Sequence, residues 1–153
     1  MAKLTSMNSE SSLQHPLNYQ DITSRFNEWL HAWNSHDLEG VMNFIHDDII
    51  FENWNRTVVA GKQNLTRAWL AWFLNHGNFR FDLEDLFVDT LAQKISFAWV
   101  LKWPSLEKKY AGKQEERQGI DILHLQDGKI IKKLTYCKTQ IIIDEKSVTL
   151  IAP

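Results

Sequence analysis

The stretch Glu115-Glu116-Arg117-Gln118-Gly119-Ile120-Asp121-Ile122-Leu123-His124-Leu125-Gln126-Asp127-Gly128-Lys129-Ile130-Ile131-Lys132-Lys133-Leu134-Thr135-Tyr136-Cys137 reads as a β-hairpin. Asp127-Gly128 is a strong two-residue turn signal, because a type I′ turn needs positive φ at both central positions and glycine accepts that without steric penalty. Two long strands therefore meet there. In the first arm, period-two alternation sets Arg117, Gly119, Asp121, Leu123 and Leu125 on one face and Gln118, Ile120, Ile122, His124 and Gln126 on the other. Asp121 thus shares a face with leucines, where a carboxyl group must be paired, hydrogen-bonded or protonated. Desolvation on that face is expected to favour the neutral acid, with Asn53 or an indole N–H as hydrogen-bond partner. Arg117 lies on the same face roughly 13 Å along the strand, too far to pair with Asp121 unless it reaches back. Lys129, Lys132, Lys133 and Lys138 read as a solvated strand edge.

Upstream of the hairpin, residues 93–103 alternate strongly, with Ile95, Phe97, Trp99, Leu101 and Trp103 against Ser96, Ala98, Val100 and Lys102. Residues 79–89 carry a similar, weaker pattern. Pro104 stops the stronger strand, and residues 105–114 read as a charged loop. Downstream, Ile141-Ile142-Ile143 and Val148-Thr149-Leu150-Ile151 flank a second, smaller turn. That tail hairpin is expected to cover the edge the last long strand would otherwise expose.

Towards the N-terminus, Asn18 reads as the N-cap of a helix whose buried stripe is Ile22, Phe26, Trp29, Leu30 and Trp33. Asn34-Ser35-His36 ends it. Asp37 caps a short helix with Leu38, Val41, Met42, Phe44 and Ile45 as its apolar face, closed by His46-Asp47-Asp48. Residues 49–54 form a strand with Ile49, Phe51 and Asn53 on one face. Gly61 opens a third helix carrying Leu65, Ala68, Trp69, Trp72 and Phe73, ending near Asn75-His76-Gly77. Helix, short helix, strand, helix and a run of antiparallel strands predict an α+β architecture, with helices packed on one face of a curved sheet.

At 153 residues and 44% hydrophobic composition, the chain makes one ordinary domain, residues 17–153, behind a polar Ser/Asn-rich tail over residues 1–16. A net charge of −2 and a pI near 6.3 leave no electrostatic footprint for nucleic acid or an anionic membrane, so neither is expected as a partner. Cys137 is the single cysteine, which suits a reducing, cytoplasmic setting. The first residues lack the order of a signal peptide, and no apolar run approaches the ~20 residues that span a bilayer. The six histidines show no metal-ligand spacing, and no Gly-rich phosphate loop occurs, so neither a metal nor another cofactor is expected. The unusual feature is seven tryptophans. Trp29, Trp33, Trp69, Trp99 and Trp103 could serve as core, as an aromatic box, or as both.

In order and spacing, Trp33-Asn34-Ser35-His36-Asp37-Leu38-Glu39-Gly40, Phe44-Ile45-His46-Asp47-Asp48, Gly61-Lys62 and Asp127-Gly128-Lys129-Ile130 resemble the nuclear transport factor 2-like superfamily, in its SnoaL-like and ketosteroid isomerase branch. The resemblance covers roughly residues 22–138. It implies a cone of curved antiparallel sheet closed by three N-terminal helices around a pocket. This superfold hosts isomerases, dehydratases, epoxide hydrolases, cyclases and non-enzymatic binding proteins, so it implies no single activity. Carried over from ketosteroid isomerase, Asp121 falls at the oxyanion-hole aspartic acid. The general base of that family is here Asn53, and its oxyanion-hole tyrosine is Trp29; an amide is no useful proton acceptor and an indole is only a weakly acidic donor. Limonene epoxide hydrolase relatives share Asn53, but their tyrosine is here Phe51 and their Asp-Arg-Asp set falls on Trp99, Phe97 and Thr135. Both mechanisms are therefore expected to be absent.

Two functions of different class fit these observations. One is a pocket protein that binds, or converts, a small apolar or aromatic molecule. Its expected lining is Trp29, Trp33, Phe51, Asn53, Trp69, Phe97, Trp99, Trp103, Arg117 and Asp121, with Asp121 as polar anchor and, in an enzyme, the catalytic residue. The other is a non-catalytic dimeric scaffold whose cone is filled by its own tryptophans. A cavity of ~300 Å³ or more reaching Asp121 favours the first, and plugging by Trp29 and Trp99 the second. Apolar residues on both faces of the hairpin, Ile120 and Ile122 as well as Leu123 and Leu125, lead to the expectation of a homodimer.

Overall fold

A computed structural model describes residues 15–150. The tail expected over residues 1–16 lies outside the described residues apart from its last two, as do residues 151–153. Three helices, α1 (Tyr19–Asn34), α2 (Leu38–Met42) and α3 (Lys62–Asn75), accompany eight strands. These are β1 (Ile45–Glu52), β2 (Val58–Ala60), β3 (Arg80–Asp89), β4 (Lys94–Pro104), β5 (Gln114–Gln126), β6 (Lys129–Cys137), β7 (Gln140–Ile143) and β8 (Lys146–Thr149). They form one sheet in the order β2-β1-β6-β5-β4-β3, and β7 joins β5 to β8.

The turn between β5 and β6 has φ of 53° at Asp127 and 72° at Gly128, the two positive values a type I′ turn requires. Asn18 caps α1 as its side chain suggests, with Oδ1 accepting from the Asp21 N–H at 2.9 Å. Ile22, Phe26, Trp29 and Trp33 are buried along α1, while Leu30 is only half-buried and Ala32 completes the stripe. On β4 every second residue from Ile95 to Trp103 is buried, the pattern of a sheet covered on one face. The concave face of the sheet and the three helices thus enclose the core.

Four local expectations change. His46, Asp47 and Asp48 do not close α2; they belong to β1, which starts at Ile45 and ends before Asn53. Residues 58–60, expected as loop, pair with β1 as β2. The sheet is mixed, because β1 runs parallel to β6 while every other pairing is antiparallel. That parallel partner covers the free edge of β6, and β7 instead pairs the start of β5, with Glu115 opposite Ile143. β6 ends opposite Gly119, so β7 takes up the β5 backbone where β6 leaves it.

Two side-chain amides tie elements together by copying the hydrogen bonds of a strand. Asn34, at the end of α1, donates from Nδ2 to the Phe81 carbonyl and accepts from the Phe81 N–H, both at 2.8 Å. It therefore satisfies both backbone groups of one residue on the edge strand β3. Gln93 does the same for Leu17, accepting from its N–H at 3.0 Å and donating to its carbonyl at 2.9 Å. Replacing Asn34 by alanine removes two hydrogen bonds and leaves partly buried backbone groups unpaired, so Asn34→Ala should lower stability by about 1–3 kcal/mol in urea denaturation. An unchanged midpoint would show that water replaces the amide at no loss.

Candidate functional site

The cone encloses a cavity of about 240 Å³, lined by residues from α1, α3 and β1 to β6 and from the β1–β2 turn. Trp29, Trp33, Phe51, Asn53, Trp69, Phe97, Trp99, Trp103, Arg117 and Asp121 all line it, as do Trp54 and Trp72, so that all seven tryptophans of the sequence take part. The volume is below the ~300 Å³ that would favour an open pocket outright. Trp29 and Trp99 nevertheless stand in the wall and leave the space unfilled as far as Asp121.

Trp33 is the hub of the aromatic wall, with edge-on contacts to Trp29, Trp69, Trp72 and Phe81 at centroid separations of 4.9–6.0 Å. Edge-to-face geometry sets the positive ring edge against the negative face, a preference that fixes ring orientation as well as burying area. Gly119 makes room for the opposite wall. A Cβ there would run into the Trp99 ring and the Tyr136 carbonyl oxygen, so the indole lies across β5 between Arg117 and Asp121 only because residue 119 has no side chain.

Asp121 differs from the sequence expectation. Its carboxylate pairs with the ammonium group of Lys133, Oδ2 to Nζ at 2.6 Å, and both residues are buried. Its partner is thus a buried lysine, and neither Asn53 nor an indole N–H as expected. Asn53 Oδ1 accepts instead from the Trp54 N–H, and Asp121 Oδ1 bonds no group among the described residues. The Lys133 ammonium also donates to Thr135 Oγ1 at 2.6 Å and lies 4.9 Å from the centre of the Phe51 ring. Lys133 therefore leaves the expected solvated edge and joins the cavity wall. The indole nitrogens of Trp29, Trp33 and Trp99 are likewise buried without partners among the described residues.

A second charged pair stands further along the same face. Glu115, 1% exposed, accepts from Ser105 Oγ at 2.6 Å and from Arg117 Nε at 2.5 Å, and the guanidinium lies 4.8 Å from the Trp103 ring centre. Arg117 turns to Glu115 and not back to Asp121. His76 stacks on Trp72 beside it and bonds the Trp72 carbonyl through Nδ1 at 2.7 Å, which makes that nitrogen the donor. Burial lowers its pKa and the nearby Arg117 charge lowers it further, against the pull of that carbonyl, so the ring is neutral at pH 7. Burial pushes the Cys137 thiol up, which keeps it protonated and a poor nucleophile where it lines the cavity.

Glu115 was legible in the sequence, because it has the same strand parity as Arg117 and Asp121. Lys133 was not. Parity counted back from the Asp127-Gly128 turn places it outward, and a register shift in β6 reverses that. Asp121→Asn leaves the Lys133 charge buried without its counter-ion and should destabilise the fold by about 3–5 kcal/mol. Adding Lys133→Met should recover most of the loss, because the second uncompensated group goes with it. Urea denaturation of the parent, single and double variants checks both, and a single variant as stable as the parent would mean that the pair carries no charge.

The fold has close structural counterparts. AclR, a putative hydroxylase from Streptomyces galilaeus, superposes with a TM-score of 0.67 at 12% identity over 79% of this chain and 81% of that one. A nuclear transport factor 2-like protein of unknown function from Mesorhizobium loti matches with a TM-score of 0.63 at 22% identity, covering 81% of this chain and 97% of that one. A putative polyketide cyclase from Xanthomonas campestris pv. campestris gives 0.65 at 17% identity, covering 78% and 92%. No curated protein matches the sequence. The sequence model of the SnoaL-like domain matches residues 26–133, well over half of the chain. With the curled mixed sheet, the three helices and that match together, the chain belongs to the SnoaL-like family of the nuclear transport factor 2-like superfamily.

Proposed function

We propose that the cone binds a small apolar or aromatic molecule, anchored at its polar wall by the Asp121–Lys133 pair. The observation that carries this is a cavity of about 240 Å³ with aromatic walls, in which a buried carboxylate retains one oxygen without a partner among the described residues. An apolar space with a few placed polar groups is the usual form of a small-molecule site, and an unsatisfied buried acceptor is costly until a donor reaches it. The structural counterparts described as a putative hydroxylase and a putative polyketide cyclase support a small-molecule role. In a reaction, Asp121 is the wall group placed to accept a proton, and Lys133 holds its carboxyl group in position. A scaffold whose cone is filled by tryptophans fits less well, because the cavity stays open to Asp121. Native mass spectrometry of protein taken directly from its source should show a co-purified molecule of low mass, and ligand exchange should quench tryptophan emission. Protein that stays unliganded and unquenched across a panel of aromatic compounds would count against the proposal.

We also propose a homodimer formed through the outer face of the sheet. Phe87, Ile120 and Tyr136 are exposed there at 64%, 45% and 57%, beyond what scattered surface residues of a monomer need. No helix among the described residues is long and apolar enough to cross a membrane, and a single cysteine, with none to pair with in the chain, supports a reducing cytoplasmic setting. Sedimentation at micromolar concentration should give twice the 18.0 kDa chain mass. Ile120→Lys should shift it to monomer, and a parent that sediments only as monomer defeats the idea.

A further inference from the structure

The two charged pairs of the cavity wall differ in what they leave free. In the Asp121–Lys133 pair, the ammonium is shared between Asp121 and Thr135 and covered by the Phe51 ring. In the Glu115–Arg117 pair, the guanidinium bonds Glu115 through Nε alone, and its terminal amino groups bond no protein atom among the described residues. Its orientation is nonetheless fixed: Glu115 is held by Ser105, and the Trp103 indole supports the guanidinium at 4.8 Å. Arg117 also lines the cavity, with its side chain 13% exposed. A guanidinium anchored by Nε presents its two outer amino groups in the fork that matches a carboxylate.

Resting on the small-molecule reading above, we infer that the molecule bound in this cone is an aromatic acid, with its carboxylate on the terminal amino groups of Arg117 and its ring among the tryptophans. The Glu115 carboxylate balances the guanidinium in the empty protein, so the site needs no ligand to fold. Its fixed orientation means that little further side-chain freedom is lost when the acid binds. The opposite end of the cavity has a different demand. Asp121 lies about 13 Å along β5 from Arg117 and retains an acceptor oxygen unpartnered among the described residues, so a hydroxyl donor suits that end and a second carboxylate does not.

Isothermal titration calorimetry with 2-naphthoate and 2-naphthamide, which share shape but not charge, tests this. The acid should bind the parent protein about tenfold or more tighter than the amide, since a charge-assisted contact exceeds a neutral one by that order. The double variant E115Q/R117Q removes both charges together and leaves no uncompensated buried carboxylate. It should bind the two compounds within about twofold of each other, through weaker binding of the acid alone. Circular dichroism of the double variant confirms its fold, and Arg117→Lys serves as a second variant, expected to keep part of the preference because it retains charge without the fork. Equal binding of acid and amide by the parent overturns the inference while leaving the small-molecule reading intact. So does a preference that survives E115Q/R117Q. Failure of both compounds to bind would remove both proposals.

Discussion

A single-residue register shift in the β5–β6 ladder decides which charges enter the cone. Leu125 pairs with Ile130, and His124 already pairs with Lys132, so Ile131 is an extra residue on the β6 side. Side chains alternate with period two, and one inserted residue therefore reverses every inward and outward assignment beyond it. Ile130 faces the core before the shift, and Lys133 and Thr135 face it afterwards. Without that bulge Lys133 would lie opposite Ile122 on the outer face, Lys132 would take its place opposite Leu123, and Leu134 in place of Thr135 would stand opposite Asp121. The bulge thus fixes the ion pair, and the ion pair gives the cavity its polar wall.

The opposite wall follows from aromatic packing at helical spacing. Trp29 and Trp33 are four residues apart on α1, Trp69, Trp72 and Phe73 follow one another on α3, and Trp99 and Trp103 lie on the inner face of β4. Large planar rings joined edge to face meet at fixed angles and do not fill space as branched aliphatic chains do. With Gly119 admitting Trp99 across β5, the tryptophans frame a space and leave it open. Core and pocket are therefore served by the same residues.

Charges along β5 are compensated locally. Glu115 and Arg117 pair two residues apart on one strand, and Asp121 pairs with Lys133 on the neighbouring strand. Removing one partner from either pair leaves the other buried and uncompensated, a larger loss than the pair itself contributes in stability. The amide clamps of Asn34 and Gln93 work at the other end of the scale, closing the backbone valences of Phe81 on β3 and of Leu17 ahead of α1 without charge.

The sequence by itself determined the features governed by local chemistry: the type I′ turn at Asp127-Gly128, the Asn18 and Asp37 caps, the alternation of β4 and the apolar stripe of α1. Each depends on neighbours within a few residues, where turn geometry, capping and periodicity act. It also marked Asp121 as a carboxylate requiring a partner. The tertiary structure decided who that partner is, because a bulge is a property of two paired strands and has no signature in either one alone. It likewise set β1 parallel to β6, turned Arg117 to Glu115 and made Asn34 a strand mimic. Those contacts join residues far apart in the chain, and only the closed cone brings them within bonding distance.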